Sequence, residues 1–343
     1  MSYQVTIQPS GHTFTVNASE TVLSAAVEAG FNLPYGCRNG ACGACKGRVL
    51  EGKVYQGEYQ GNAMTEAEEQ SGLALFCCAL PMSDLVIECR EVTGKDGIRP
   101  RIMPARVHKL EKLSHDVMAM FLKLPSNERM QFMAGQYVDF LLKDGKRRAF
   151  SIANAPHSDE LLEMHLRLIP GGQFTEYVFN EMHEKAILRL EGPFGSFYLR
   201  EDSDKSIIFV AGGTGFAPIK GIIEHMMHHN MQRKMVLYWG ARSLADLYMP
   251  ALPEQWQAAY PGFSFVPVLS EPLPSDNWQG RVGLVHAAVL QDHADLSGYQ
   301  VYCCGAPGMV ETAHQEFQQH GMPEDEFFSD AFTFSNPLPK VAV

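Results

Sequence analysis

The chain has 343 residues, 45% hydrophobic and 20% charged. This is the makeup of a globular protein of two or three domains, and it excludes a disordered tail, a collagen-like repeat and a disulfide-stapled miniprotein. Lys plus Arg number 28 against 39 Asp plus Glu, a net charge of −11, and so acidic a chain repels phosphate backbones and argues against nucleic-acid binding. No apolar run approaches the roughly 20 residues of a membrane span. The N-terminal MSYQVTIQPSG has neither the charged nor the apolar region of a signal peptide, so a cytoplasmic chain with reduced thiols is expected.

The N-terminal segment alternates polar and apolar residues from Tyr3 to Gln8 and from His12 to Val16 around Ser10 and Gly11, which predicts a β-hairpin. Ser19 is placed as the N-cap of a short helix carrying Val22, Leu23, Ala26 and Val27, with Gly30 ending it. A cysteine-bearing loop follows, then more strand up to Glu91. Residues 92–104, VTGKDGIRPRIMP, break every periodicity and are expected to be a linker. Six short strands, 105–111, 117–123, 137–142, 149–152, 163–168 and 187–191, with one helix at 174–182, predict an antiparallel barrel. After Ser203 the pattern changes to apolar strands at 207–211, 236–239, 263–267 and 300–303. Helices from Pro218 and at 252–259, 284–289 and 308–320 separate them, which predicts a parallel sheet with helices on both faces.

Six of the 8 cysteines fall before residue 90: Cys37, Cys42, Cys45, Cys77, Cys78 and Cys89. The first three have C-x4-C-x2-C spacing and the fourth ligand lies at a distance, which is the plant-type pattern for a [2Fe-2S] cluster. Two irons need four thiolates, and one tight loop wraps only three. Gly36, Gly40 and Gly43 let the backbone curl until its N–H groups face the sulfurs, and such donors stabilise the reduced cluster. Structural zinc is the competing assignment, although its sites usually show two short Cys/His pairs. Cys77 and Cys78 compete for the fourth place. The stretch from Cys77 to Pro81 resembles the C-x-A-x-P that closes ferredoxin clusters, which selects Cys77. Neighbours on a strand face opposite ways, so Cys78 and Cys89 are expected to be core thiols.

Downstream motifs carry a wider resemblance. Arg148-Ala149-Phe150-Ser151 resembles the R-x-Y/F-S of the ferredoxin–NADP reductase superfamily. An arginine forks onto a pyrophosphate, an aromatic ring stacks on an isoalloxazine, and a serine hydrogen-bonds near flavin N5. Gly171, Gly172 and Thr175 open a helix as a phosphate cradle, which in that superfamily holds the FAD pyrophosphate. Glu191 to Gly195 matches the E-G-P-x-G turn that closes the flavin barrel. Gly212, Gly213, Thr214, Gly215 and Pro218 give the G-G-T-G-x-x-P form of the nucleotide turn. Arg242 follows the next strand, at the adenosine end. Asp246 nearby disfavours a 2′-phosphate, whereas Arg242 and Ser243 would welcome one, so NADH is favoured and NADPH stays open. Cys304, Gly305 and Pro307 match C-G-x-P-x-M, whose cysteine lies near the reacting nicotinamide carbon. The tail from Phe328 to Phe332 resembles the C-terminal segment that abuts the flavin, and Phe332 is either the stacking ring or a core aromatic. His225, His228 and His229 lie on the helix after Pro218 with no apparent carboxylate or cysteine partner, which suits a solvated face.

In order and extent the chain resembles a ferredoxin-type iron–sulfur flavoprotein reductase of the ferredoxin–NADP reductase superfamily. That group includes reductase components of bacterial multicomponent oxygenases and the CDP-6-deoxy-3,4-glucoseen reductases. Its cluster-first order differs from the phthalate dioxygenase reductase type, which uses FMN and carries its cluster C-terminally. The resemblance implies a β-grasp [2Fe-2S] ferredoxin domain at 1–94, an antiparallel β-barrel FAD domain at 101–202 and an α/β parallel-sheet NAD(P) domain at 203–343. It also implies electron flow from NADH through FAD and the cluster to a protein acceptor such as an oxygenase, with Ser151 and Cys304 orienting the reacting atoms and no nucleic acid or membrane involved. A deoxysugar-pathway partner, a free flavin or ferric reductase, and an iron–sulfur carrier with a vestigial flavin site are the alternatives.

Overall fold

The computed structural model describes residues 1–91, 98–126 and 129–333. The chain divides into two compact units, one of Met1–Pro100 with Phe194–Ser196 and Ala331–Val343, the other of Arg101–Pro193 with Phe197–Asp330. Residues 92–97 of the expected linker lie outside the described residues. No helix among the described residues is long and apolar enough to cross a membrane.

In the first unit the expected hairpin is present as β1 (Ser2–Gln8) and β2 (Thr13–Asn17). The helix that follows, α1 (Val22–Ala29), is capped by Thr21 rather than Ser19: the Thr21 side chain accepts the Ser24 N–H at 3.2 Å. Ser19 lies two residues too early for its oxygen to serve the first turn. Gly30 ends the helix as expected, at φ 90°. The remaining elements are β3 (Lys46–Glu51), β4 (Val54–Gln56), α2 (Glu66–Gln70), β5 (Leu73–Leu75), β6 (Ala79–Pro81) and β7 (Leu85–Glu88). The main sheet has the order β2-β1-β7-β3-β5, with β1 and β7 parallel and the other pairs antiparallel. This mixed sheet with α1 across it is the β-grasp arrangement the sequence implied.

The second unit begins with an antiparallel sheet of six strands, β8 (Arg101–Lys112), β9 (Val117–Lys123), β10 (Tyr137–Leu141), β11 (Arg147–Ser151), β12 (Leu162–Arg167) and β13 (Ile187–Phe194), in the order β11-β10-β13-β8-β9-β12. Helix α3 (Gln173–Asn180) precedes β13. Two expectations are corrected here. Residues 101–104 are strand rather than linker, because Arg101 to Pro104 pair with Gly192 to Arg189; Pro104 is tolerated where β8 pairs with β13 alone, its pairing with β9 starting only at Arg106. Likewise Glu191 to Phe194 continue β13 instead of forming a turn after it. The core is built from inward residues such as Val107, Met120, Leu122, Val138, Met164, Leu166 and Leu190.

The unit continues with β14 (Ser206–Gly212), α4 (Phe216–His228), β15 (Met235–Ala241), α5 (Ala251–Ala259), β16 (Phe263–Leu269), β17 (Arg281–Val282), α6 (Val285–Asp292), β18 (Tyr299–Gly305), α7 (Pro307–Gln319) and β19 (Phe327–Ala331). Its sheet order is β17-β16-β15-β14-β18-β19, parallel from β17 through β18. Ile207 to Ala211 are buried without alternation, as a strand covered on both faces requires. Helix α4 starts two residues before the expected Pro218, which sits third in its first turn, where its missing N–H has no intrahelical partner to lose.

Glycine sets the closest approach in this sheet. A Cβ on Gly215 would lie 2.0 Å from the Cys304 carbonyl oxygen, which is backbone of β18 and cannot swing aside. Gly298 has nothing within 4 Å of its Cβ position. Gly215→Ala is therefore expected to destabilise the fold by about 1–3 kcal/mol or more, and Gly298→Ala to stay within about 0.5 kcal/mol of wild type. Chemical denaturation of the two variants checks this; equal midpoints would contradict the packing described.

Candidate redox and nucleotide sites

The cysteine loop runs between α1 and β3 without regular structure. Its reversals use positive φ at Arg38 (61°), Gly40 (72°) and Gly43 (77°). The result is that backbone N–H groups face sulfur: Cys37 N–H donates to Cys42 Sγ and Ala41 N–H to Cys37 Sγ, each at 3.3 Å. Cys77 joins the loop residues from the turn between β5 and β6. The four thiols associate in two pairs, Cys37 with Cys42 and Cys45 with Cys77, within hydrogen-bonding reach. Cys42 holds the Cys37 thiol down to about 6, with burial opposing, and Cys45 and then Cys78 hold Cys77 down to about 4. Two sulfur pairs with backbone donors aimed at them fit a two-iron cluster, each pair suiting one iron.

Cys78 is not the core thiol expected. Residues 76–78 form a turn rather than a strand, so the opposite-facing argument does not apply, and Cys78 Sγ lies 3.6 Å from Cys77 Sγ. It also sits against the loop, since a Cβ on Gly40 would be 2.9 Å from the Cys78 sulfur. Cys89 does behave as a core thiol, pushed up to about 12 by burial first and Glu91 second.

On β11 the strand alternation places Arg148 and Phe150 on one face and Ala149 and Ser151 on the other. The Phe150 ring meets Phe140 and Phe174 at centroid distances of 5.7 and 5.6 Å. Neighbouring Arg147 is engaged with Glu191 and, at 3.6 Å, with Asp139. Arg148 makes a local contact instead, Nη1 donating to the Arg147 carbonyl at 2.8 Å. Ser151 is 8% exposed. Beyond β12, Gly171 takes φ 76° and Gly172 is the N-cap of α3, with no side-chain cap on that helix; the Gly171 N–H donates to Glu176 Oε1 at 2.7 Å and the Gly172 N–H to the Ile169 carbonyl at 2.8 Å, so Glu176 holds the place an anion would take at this turn. The Thr175 hydroxyl is turned into its own loop, accepting the Ile169 N–H at 3.1 Å and lying 3.2 Å from the Gly172 carbonyl, so it shapes the cradle.

At the end of β14, Gly212 to Gly215 run as a tight turn into α4, again without a side-chain cap. A Cβ on Gly212 would lie 2.6 Å from Met309 Sδ, and one on Gly305 would lie 3.0 Å from the Gly212 Cα. Thr214 is buried, and Pro307 opens α7. Cys304 and Cys303 are both fully buried on β18, and burial pushes both thiols up, so they stay protonated. At the adenosine end Arg242 is exposed. Ser243 donates to Asp246 Oδ2 through its N–H at 3.0 Å and its hydroxyl at 2.9 Å. Burial would push the Asp246 carboxyl up, but these two bonds outweigh it and hold it below its ordinary value. Phe332 is half-buried just beyond β19.

The histidines correct one expectation. His228 and His229 are exposed, but His225 is buried and has a carboxylate partner, Glu201 Oε1 at 3.0 Å. His228 stacks on His157 at 3.7 Å.

Arg167 is the residue that motif reasoning passed over. Its Nε and Nη2 are buried without a hydrogen-bond partner, Asp116 Oδ2 is 3.2 Å from Nε, and Nη1 lies 2.8 Å from the Cβ position of Gly213. The guanidinium thus stands at the nucleotide turn, although it belongs to a barrel strand. The signal in the sequence is Glu163, His165 and Arg167 alternating with Leu162, Met164 and Leu166, three polar residues on one face of a strand.

Comparison with known proteins agrees with this architecture. Family models match a 2Fe-2S iron-sulfur cluster binding domain at residues 5–82, an oxidoreductase FAD-binding domain at 104–198 and an oxidoreductase NAD-binding domain at 209–315. The CDP-6-deoxy-L-threo-D-glycero-4-hexulose-3-dehydrase reductase of Yersinia pestis is 37% identical over 332 residues, covering 97% of this chain and 99% of that one. The reductase component DmpP of phenol 2-monooxygenase from Pseudomonas sp. strain CF600 is 36% identical over 338 residues, covering 97% and 95%. Among solved structures, the Amycolatopsis cytochrome P450 reductase GcoB aligns with a TM-score of 0.82 at 31% identity, covering 97% and 100%. Taken with the paired cysteines and the two glycine turns, these matches show that the chain belongs to the ferredoxin-type iron–sulfur flavoprotein reductases, electron-transfer oxidoreductases that use NAD(P)H, FAD and a [2Fe-2S] cluster.

Proposed function

We propose that this reductase takes electrons from NADH and delivers them singly to a protein acceptor, an oxygenase component in the first instance, through three modules at 1–94, 101–202 and 203–343. The carrying observation is the grouping of Cys37, Cys42, Cys45 and Cys77 into two sulfur pairs in a chain that also holds a flavin-type barrel and a nucleotide turn. A deoxysugar dehydrase is the second acceptor class, carried by the 37% identity to the Yersinia pestis reductase. Bound FAD supplies the conversion of a hydride into single electrons, and a [2Fe-2S] cluster supplies the one-electron outlet.

The chain's own residues bind and orient. Cys37, Cys42, Cys45 and Cys77 are the cluster ligands, and the N–H groups of Cys37 and Ala41 offset the charge on the sulfurs. Arg148, with the first turn of α3 that Gly171 and Gly172 open, holds the FAD pyrophosphate, which would displace the Glu176 carboxylate from the Gly171 N–H. Phe150 is the ring of this motif that would stack on the isoalloxazine, and Ala149 keeps the backbone close. Gly212 to Gly215, with Pro218 behind them, receive the nucleotide pyrophosphate. Arg167, ion-paired with Asp116 through Nε, extends the same cradle from the barrel side and offers its Nη atoms to a phosphate oxygen. Gly305 and Pro307 shape the turn after β18. Ser151 and Cys304 orient the reacting atoms and act as neutral groups, since burial keeps the Cys304 thiol protonated. NADH is favoured over NADPH because the Ser243 hydroxyl is engaged and Asp246 stays ionised beside it, leaving Arg242 alone to welcome a 2′-phosphate.

One variant pair and one single variant test these assignments. Cys77→Ser is expected to remove the cluster absorbance and cytochrome c reduction while NADH-driven ferricyanide reduction continues, and Cys78→Ser to keep the cluster. Loss of the cluster in Cys78→Ser with retention in Cys77→Ser would reverse the ligand assignment. Arg167→Ala is expected to weaken NAD⁺ binding by about 1.5–3 kcal/mol, the worth of a charge-assisted hydrogen bond, without loss of FAD. Calorimetry decides this, and an unchanged Kd would place the pyrophosphate away from Arg167.

A further inference from the structure

Strand β12 meets the nucleotide half of its unit at three successive outward positions. Leu162, Met164 and Leu166 point into the barrel core, so Glu163, His165 and Arg167 point the other way. Arg167 reaches the Gly213 turn. Glu163 Oε2 accepts a hydrogen bond from Lys220 Nζ of α4 at 2.9 Å. His165 Nε2 lies 2.8 Å from Glu163 Oε1, and His165 Nδ1 lies 2.9 Å from the Tyr248 hydroxyl.

Lys220 is 5% exposed, an uncommon place for an ammonium. It is compensated on three sides: by Glu163, by Glu224 Oε1 at 2.9 Å on its own helix, and by the Ala153 carbonyl at 3.2 Å. Ala153 lies just past Ser151 on the flavin strand. Burial alone would raise the Glu163 carboxyl, but His165 and Lys220 outweigh it and hold it at about 2. An ionised carboxylate only accepts hydrogen bonds, so His165 carries its proton on Nε2 and its Nδ1 accepts from Tyr248. Burial keeps that ring neutral against the pull of Glu163.

A buried ion pair of this kind adds little net stability over an apolar pair of the same shape; its geometry has one good setting. Here that setting controls the nucleotide turn. Helix α4 leaves the Gly213–Gly215 turn directly and is unbroken to His228, and Lys220 lies about 7 Å along it from Gly215 at the usual rise per residue. A displacement at Lys220 therefore moves the turn as well. Tyr248 supports the same place, its ring meeting Trp239 at 5.1 Å while Trp239 Nε1–H donates to the Gly213 carbonyl at 3.0 Å.

We propose that the Glu163–Lys220 pair is a positioning device for hydride transfer, holding the nucleotide turn at one distance from the flavin strand. It rests on the reading of NADH as the donor to bound FAD. Most nucleotide affinity comes from the glycine turn and the adenosine end, which lie on the same side of the pair and move with the bound nucleotide, so the pair governs the rate of transfer and leaves binding nearly alone.

The experiment is anaerobic stopped-flow flavin bleaching by NADH in the holoenzyme carrying Glu163→Gln. This variant keeps the side-chain length and leaves Lys220 paired with Glu224, so the fold is retained. The expected result is bleaching about 10- to 100-fold slower with NAD⁺ Kd within about twofold of wild type, as a near-attack misplacement produces. A larger primary isotope effect with 4-deuterated NADH should accompany it. Lys220→Gln should behave alike, and the double variant should be no slower than the slower single, because both remove the same pin. Bleaching at the wild-type rate, or a loss seen only in melting temperature or FAD content, would overturn the proposal. Wild-type protein whose FAD does not bleach with NADH would overturn the donor reading together with it.

Discussion

The Cys304 carbonyl stands where a side chain on Gly215 would begin, 2.0 Å from an ideal Cβ, and the arrangement of the nucleotide half follows from that contact. It brings the turn after β14 against the end of β18, so the glycines that receive a pyrophosphate and the cysteine assigned to the nicotinamide share one rim of the parallel sheet. Ligands bind at the carboxyl ends of such strands, and here glycine backbone alone permits the approach. Gly212 and Gly305 repeat the requirement, each meeting the other strand's turn or Met309. From this rim α4 carries Lys220 to Glu163 of β12, so one backbone contact fixes the turn within the sheet and one buried ion pair ties α4 to the barrel strand.

Charge is used differently at the surface and in the interior. Exposed pairs such as Lys109 with Glu111 or Arg129 with Asp159 contribute about 0–1 kcal/mol each. The buried chain from Tyr248 through His165, Glu163 and Lys220 to Glu224 specifies a register instead. Around the cysteine loop the donors are backbone N–H groups, which carry no net charge. They favour extra negative charge on sulfur without drawing a counter-ion to the site.

What was legible in the sequence was local. The C-x4-C-x2-C spacing, the Gly-Gly turns and the period of each strand depend on neighbours along the chain, and the three larger sheets follow them. Where tertiary context decides, sequence reasoning went astray for definable reasons. Cys77 and Cys78 were assigned opposite faces as strand residues, but a turn brings their sulfurs together. Arg101 to Pro104 carry linker composition, yet β13 supplies a partner that composition does not show. His225 has its carboxylate in Glu201, on another segment. Arg167 and Lys220 carry no motif signal, since their surroundings come from groups brought close only by folding, Gly213 in one case and Glu163 in the other.

The central claim is that the cluster stands in series after the flavin, so that a hydride donor fills both. Anaerobic titration of the holoenzyme with NADH, followed by visible absorbance and electron paramagnetic resonance together, tests it most directly. The account predicts that the flavin bands bleach and a reduced [2Fe-2S] resonance grows in the same titration, and that Cys77→Ser abolishes the resonance while the bleaching remains. A flavin that bleaches fully in wild-type protein while the cluster stays oxidised and silent would contradict it.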